Sequence, residues 1–187
     1  GQFNIKRLMA YSSIGHMGYA LAGLAPGTNA GIQSTIIYLT IYLVMNLGAF
    51  GCIFMMKREN IFYEKIKDLS GLSKNHPLLA LGFLIILFSL AGIPPLAGFF
   101  AKFYIFMAVI EVEMYALAII GLVTTVISAF YYLRIVKVIY FDEPSEAFEE
   151  NFDWGLRISL VLSSILILIY FIYPSILTEA VSSIIIF

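Results

Sequence analysis

Residues 77–110 form a run of 34 residues with a single charged side chain, Lys102. As one unbroken α-helix the run would reach ~50 Å at about 1.5 Å per residue. That is well beyond a ~30 Å hydrocarbon core, so a modestly tilted straight helix fits a bilayer poorly. Near its middle stands Leu90-Ala91-Gly92-Ile93-Pro94-Pro95-Leu96-Ala97-Gly98. Proline removes a backbone donor and clashes with the preceding turn, so a helix break is predicted within 92–98, built on Gly92, Pro94, Pro95 and Gly98. Unwound backbone at membrane depth is tolerated only where it is buried in protein or lines a wet cavity. A lysine shortly after such a break is by default a functional-site hypothesis.

The rest of the chain agrees with a membrane setting. Hydrophobic residues make up 61% and charged residues 12%, roughly half the charged fraction of a soluble domain. Hydropathy and length define five apolar segments, about 8–24, 31–56, 77–110 with its break, 115–141 and 154–176, the last closed by Tyr173-Pro174. The expected fold is an all-α integral membrane bundle of five transmembrane helices, one of them broken, forming a single domain over 1–187. The chain starts at Gly1 without an initiator methionine, and is expected to be the C-terminal piece of a longer protein.

Charge distribution sets the orientation. Lys6 and Arg7 precede the first segment. Lys57, Arg58, Lys65, Lys67 and Lys74 lie between the second and third, and Arg134, Lys137 and Arg157 flank the connection between the fourth and fifth. The remaining connections hold only acidic charge or none. Lys102 apart, the basic residues thus fall on one side, which the positive-inside rule makes cytoplasmic, or matrix in an organelle.

Two depth estimates converge. His16 lies ten residues beyond Lys6, ~15 Å along a helix, and Lys102 lies nine residues before Glu111, ~13 Å; both distances end near the midplane. Lysine shifts its proton affinity readily when desolvated, and histidine exchanges protons near neutral pH without a shift. The pair suits a lateral proton relay. Thr35, Tyr38, Tyr42 and Asn46 share one face of the second segment by spacings of three and four, and Thr124, Ser128 and Tyr131 one face of the fourth. Tyr11, Ser12 and Ser13 open the first. Each stripe fits a polar path, and each equally fits hydrogen bonding between packed membrane helices without transport. His16 also fits a neutral histidine donating to a backbone carbonyl. A structural ion pair explains Lys102 less well, because no acidic residue lies within the apolar part of any segment.

Other features read as bland. His76 is expected to be a loop residue, Cys52 a small buried hydrophobe, and the acidic 142–153 stretch a solvated loop. Residues 57–67, with Ile61, Phe62, Tyr63 and Ile66 among the charges, read as an interfacial amphipathic stretch. No phosphate loop, dinucleotide fingerprint, catalytic triad or metal-ligand cluster occurs, so no redox chemistry is expected in this chain.

Four motifs carry a resemblance: Asn4-Ile5-Lys6-Arg7-Leu8-Met9-Ala10-Tyr11-Ser12-Ser13-Ile14, Asn46-Leu47-Gly48-Ala49-Phe50, Asp68-Leu69-Ser70-Gly71-Leu72, and Ala91-Gly92-Ile93-Pro94-Pro95 running on to Gly98-Phe99-Phe100-Ala101-Lys102-Phe103. In this order and spacing the chain resembles the proton-antiporter-like membrane subunits of respiratory complex I and the related multi-subunit cation/proton antiporters. The resemblance implies two inverted five-helix repeats, each with a broken helix bearing a key ionisable residue, of which this chain holds the second. It implies that Lys102 passes protons onward, that His16 is a relay position and that Lys6, a basic residue at a helix start, belongs to the same proton relay. It further implies proton translocation coupled to electron transfer from NADH to quinone. NADH, FMN, iron–sulfur clusters and quinone are then expected on other subunits, and no cofactor or metal here. The implied partners are other membrane subunits of the complex, lipid, protons and internal water, with no nucleic acid. The implied setting is a bacterial inner membrane rather than a mitochondrial one. A cation/proton antiporter subunit, a hydrogenase-linked membrane subunit and a structural anchor for a redox arm remain alternatives.

Overall fold

A computed structural model describes residues 1–59, 61–149 and 153–184. Its helices are α1 (Ile5–Leu24), α2 (Asn29–Phe54), α3 (Leu72–Asn75), α4 (Pro77–Ala91), α5 (Ala97–Glu111), α6 (Tyr115–Phe141), α7 (Trp154–Ile172) and α8 (Ser175–Ile184). A ribbon of two-residue strands, β1 (Lys57–Arg58) and β2 (Ile61–Phe62), and a 3-10 turn, Ile66–Leu69, connect α2 to α3. By length and composition α2, α6 and α7 each suffice to cross a membrane. With 15 residues, α4 spans only ~22 Å and continues as α5 beyond the break.

The ends of these helices follow from local chemistry. Asn4 caps α1 by accepting from the Arg7 amide, Thr28 caps α2 through the Gly31 amide, and Asp153 caps α7 through the Gly155 amide. Each supplies a side-chain oxygen to a donor that the first turn leaves unpaired. Pro77 occupies the first position of α4, where its missing N–H costs nothing.

The second helix is the hub of the bundle, packing on α1, α4, α5, α7 and α8. Its Ile37, Tyr38, Ile41, Met45, Ala49, Cys52 and Ile53 are all buried. They meet Phe83, Ile86, Leu87 and Leu90 of α4 and Ala101 and Ile105 of α5 in one hydrophobic core. Much of α6 and α7 presents apolar side chains outward, including Phe130, Val126, Ile158 and Phe171. An apolar exterior over a packed interior is what a bilayer requires of a bundle.

The structure corrects two expectations and sharpens two. Residues 57–67 are not one amphipathic element: the ribbon and the 3-10 turn fold back onto the N-terminus. There the Ile5 amide donates to the Glu64 carbonyl (2.7 Å) and the Ile66 amide to the Phe3 carbonyl (2.9 Å). The segment expected at 154–176 ends at Ile172, because a residue before proline disfavours the helical region, and α8 restarts after Pro174. The acidic connection, whose residues 150–152 lie outside the described residues, is a largely exposed loop over 142–149, as expected, but one tied to its neighbours. Ser145 Oγ donates to the Asp68 carbonyl (2.9 Å), and the Glu149 amide donates to the Lys57 carbonyl (2.9 Å). Phe148 is buried and stacks on His76. Finally, the break falls within the expected 92–98: it covers 92–96, and Gly98 lies inside the first turn of α5.

Candidate functional site at the broken helix

The chain leaves α4 through Gly92, whose φ of +83° is the left-handed conformation that glycine adopts without penalty. The turn runs through Pro94 and Pro95, joined by a cis peptide bond, and re-enters a helix at Ala97. Gly98 makes the return possible: a Cβ there would stand 1.9 Å from the Ser89 carbonyl oxygen. Ser89, wholly buried, accepts from the Gly98 amide (2.9 Å) and donates to the Met45 sulfur (3.0 Å). Its hydroxyl thus satisfies one of the donors left over at the start of α5.

Lys102, one turn into α5, points back at the break. Its Nζ donates to the carbonyls of Leu90 (3.1 Å) and Ala91 (3.3 Å), and the side chain is buried at 3% exposure. These are the last carbonyls of α4, which have no partner within that helix and sit at the negative end of its dipole. Among the described residues Lys102 makes no ion pair. Its ammonium instead lies over the Tyr19 ring, 5.0 Å from the centroid.

His16 sits in a cage of aromatic residues. Its Nδ1 bonds the Tyr38 hydroxyl at 2.6 Å and its Nε2 the Tyr132 hydroxyl at 3.0 Å, while the Tyr42 ring stacks on it at 4.7 Å. The Tyr132 hydroxyl is also hydrogen-bonded to Ser12 Oγ. A chain of Ser12, Tyr132, His16 and Tyr38 therefore links α1, α6 and α2. Every member can donate or accept, so the chain can be polarised in either direction. A neutral imidazole donates at one nitrogen and accepts at the other; a protonated one donates at both.

The predicted residues divide. Lys102, His16, Tyr38 and Tyr42 come together around the break, with Ser128 buried nearby on α6. Ser128 spends its hydroxyl on the Thr125 carbonyl (2.7 Å). Thr124 has an exposed side chain and bonds Tyr19. Thr35 donates to the Ala20 and Gly31 carbonyls, a helix-packing role. Asn46 does not join the chain, and its Oδ1 has no hydrogen-bond partner among the described residues.

Lys6, expected in the relay, stands apart from this cluster. It pairs with Glu64 at 2.7 Å and lies 5.3 Å from the Phe62 ring centroid, at the end of the bundle that carries the ribbon. Hydrogen bonds from Lys6 and Asn4 hold the Glu64 carboxyl below its ordinary range.

Two functional candidates escaped the sequence reading, Tyr19 and Tyr132. Both had a signal: Tyr19 follows Ser12 and His16 at helical spacing, and Tyr132 lies four residues after Ser128. Spacing from Thr124 and Ser128 leads instead to Tyr131, which is only half-buried and packs against Tyr132.

Residues 1–128 match the family model described as NADH:quinone oxidoreductase/Mrp antiporter, TM. The NADH-quinone oxidoreductase subunit N of Pelagibacter ubique is 66% identical over 184 residues, covering 98% of this chain and 39% of that protein. The subunit N of Parvibaculum lavamentivorans is 54% identical over 175 residues, covering 94% and 36%. The chain thus spans less than two fifths of the length of these curated relatives. Among solved structures, a chain of respiratory complex I from Thermus thermophilus with bound Aureothin superposes with a TM-score of 0.83 at 31% identity, over 97% of this chain and 41% of that one. A chain of the membrane-bound sulfane sulfur reductase, an archaeal respiratory membrane complex, gives 0.85 at 26% identity, over 97% and 37%. With well over half of its residues under the family model, this chain belongs to the NADH:quinone oxidoreductase/Mrp antiporter transmembrane family.

Proposed function

We propose that this chain forms the proton-carrying C-terminal part of an antiporter-like membrane subunit of a NADH:quinone oxidoreductase, and that Lys102 and His16 are its relay groups. The observation that carries the proposal is Lys102 itself: a buried ammonium held by two helix-end carbonyls, with no carboxylate among the described residues paired to it. A carbonyl pair stabilises the cation by hydrogen bonds and by the dipole of α4 without binding it as tightly as an anion would. The proton can then leave. A membrane anchor has no use for such a group.

In this proposal the relay runs laterally. Lys102 receives a proton, and the chain of Tyr38, His16, Tyr132 and Ser12 moves one by successive exchange of O–H and N–H bonds. Tyr42 holds the imidazole plane. Lys6, tied to Glu64, fixes the start of α1 and through it the height of His16. Five segments cross the bilayer, α4 and α5 together counting as one, and the ribbon end faces the cytoplasm of a bacterial inner membrane. NADH, flavin, iron–sulfur clusters and quinone belong to partner subunits. The relatives of 66% and 54% identity favour this assignment over a cation/proton antiporter or hydrogenase subunit.

The test is proton translocation in vesicles carrying the assembled Lys102→Met enzyme. Assembly is expected to survive, since deleting a buried charge that lacks a counter-ion relieves a desolvation cost. Pumping is expected to collapse, and coupled electron transfer to fall with it. Normal pumping at the normal ratio would refute the proposal.

A further inference from the structure

The hydrogen-bond chain around His16 stops short of Lys102, and the group beside both is Tyr19. Its ring touches the ammonium on one side, 5.0 Å from the centroid, and lies 6.2 Å from the imidazole and 6.0 Å from the Tyr38 ring. The face of an aromatic ring attracts a cation but accepts no proton for onward transfer. The one proton-carrying atom of Tyr19 is turned elsewhere. Its hydroxyl is bonded to Thr125 Oγ1 (2.7 Å) and Thr124 Oγ1 (3.1 Å) and reaches the Gly121 carbonyl (3.3 Å), all on α6. Three polar atoms from a single turn of α6 thus moor one hydroxyl, on a residue of 6% exposure.

We propose that Tyr19 is the gate of the relay: moored on α6 its ring separates Lys102 from the His16–Tyr38 pair, and released it places its hydroxyl between them. The proposal rests on the Lys102–His16 relay put forward above. In the released position an N–H bond of the Lys102 ammonium breaks as an O–H bond forms on Tyr19. The proton that Tyr19 carried passes to the Tyr38 hydroxyl, which hands its own to His16 Nδ1. One proton moves, tyrosine is regenerated and no electron is transferred. The mooring threonines keep this path from standing open, so that protons do not run back when the membrane is energised.

The test uses the assembled complex in sealed vesicles and measures pumping rate and backward proton leak under an imposed gradient. Tyr19→Phe keeps the ring and removes the carrier. It is expected to slow pumping by at least about tenfold, less than the ~100-fold a positioned proton donor commonly contributes, because water can stand in. The pair Thr124→Val with Thr125→Val keeps Tyr19 and removes its mooring. It is expected to raise the backward leak severalfold, a readout that a merely structural role would not move. A normal pumping rate in Tyr19→Phe, or an unchanged leak in the threonine pair, would overturn the gate. Should Tyr19→Phe fail to assemble, the threonine pair alone decides. Lys102→Met measured alongside separates the two levels. If it is inactive while both gate results are normal, the relay stands and the gate falls; if it pumps normally, both fall.

Discussion

A lysine that caps the helix it follows is held by geometry rather than by an opposite charge. The Lys102 ammonium reaches back over the break to the carbonyls of Leu90 and Ala91, so its position depends on the turn being formed. His16 depends on tyrosines from two other helices. Replacing it by alanine is expected to slow pumping less than Lys102→Met does, because a cavity lined by hydroxyls can take up a water in place of one relay element; proton uptake per electron pair checks the ranking. Glu64 behaves differently, being surface-borne and paired to Lys6. Its carboxyl is held below the ordinary range, so its contribution to stability is fully present above the unfolded carboxylate pKa and is lost as pH falls through the folded one. Glu64→Gln is therefore expected to lower the thermal midpoint of the complex at neutral pH and to make no difference once the medium is acidic enough to protonate the native carboxyl. A midpoint difference that persisted in acid would contradict this account.

At the scale of elements, the broken helix rests on two glycines with different duties. Gly92 supplies a left-handed turn, and alanine there costs about 1–2 kcal/mol in backbone strain while crowding Lys102, whose side chain a Cβ would meet at 3.3 Å. Gly98 supplies closeness: alanine would collide with backbone, the Ser89 carbonyl, and cannot be relieved by moving a side chain. Gly98→Ala is expected to reach or exceed the top of the about 1–3 kcal/mol range typical of overpacking, and to reduce assembled complex on native gels far more than Gly92→Ala. The break itself was legible in the sequence, since excess length and a proline pair both demand it. Its boundary was not. Gly98 reads as a breaker by propensity, but its function is packing, which depends on Ser89 nine residues away. The same limit hid α8 behind Pro174 and assigned Tyr131 the place that Tyr132 takes, because helical spacing cannot tell neighbouring faces apart at the edge of a stripe.

At the scale of the molecule, one end of the bundle is stitched together by its connections. Arg58 lies between the rings of Tyr63 (4.5 Å) and Phe148 (4.8 Å) and bonds the Glu146 carbonyl, so the α6–α7 connection is pinned to the ribbon. Cation–π contacts are worth about 0.5–2 kcal/mol. Arg58→Ala is expected to raise hydrogen exchange over 142–149 and leave that of α2 unchanged. Charge counting had already put these connections on one side; that they clasp each other could not be read, because a two-residue strand has no periodicity. That His16 and Lys102 lie at similar depth is an expectation drawn from two helix lengths. The aromatic cage around His16 needed the fold, since its tyrosines come from three helices.

In the proposed relay Lys102 works by releasing a proton and not merely by being positive. Lys102→Arg tests it most directly, because guanidinium can donate to the same carbonyls and keeps the charge but does not deprotonate in proteins. In the assembled complex, proton translocation per electron pair is predicted to fall as far in Lys102→Arg as in Lys102→Met. An arginine enzyme that pumped at the normal ratio and rate would show that a fixed cation is enough, and that Lys102 carries no proton.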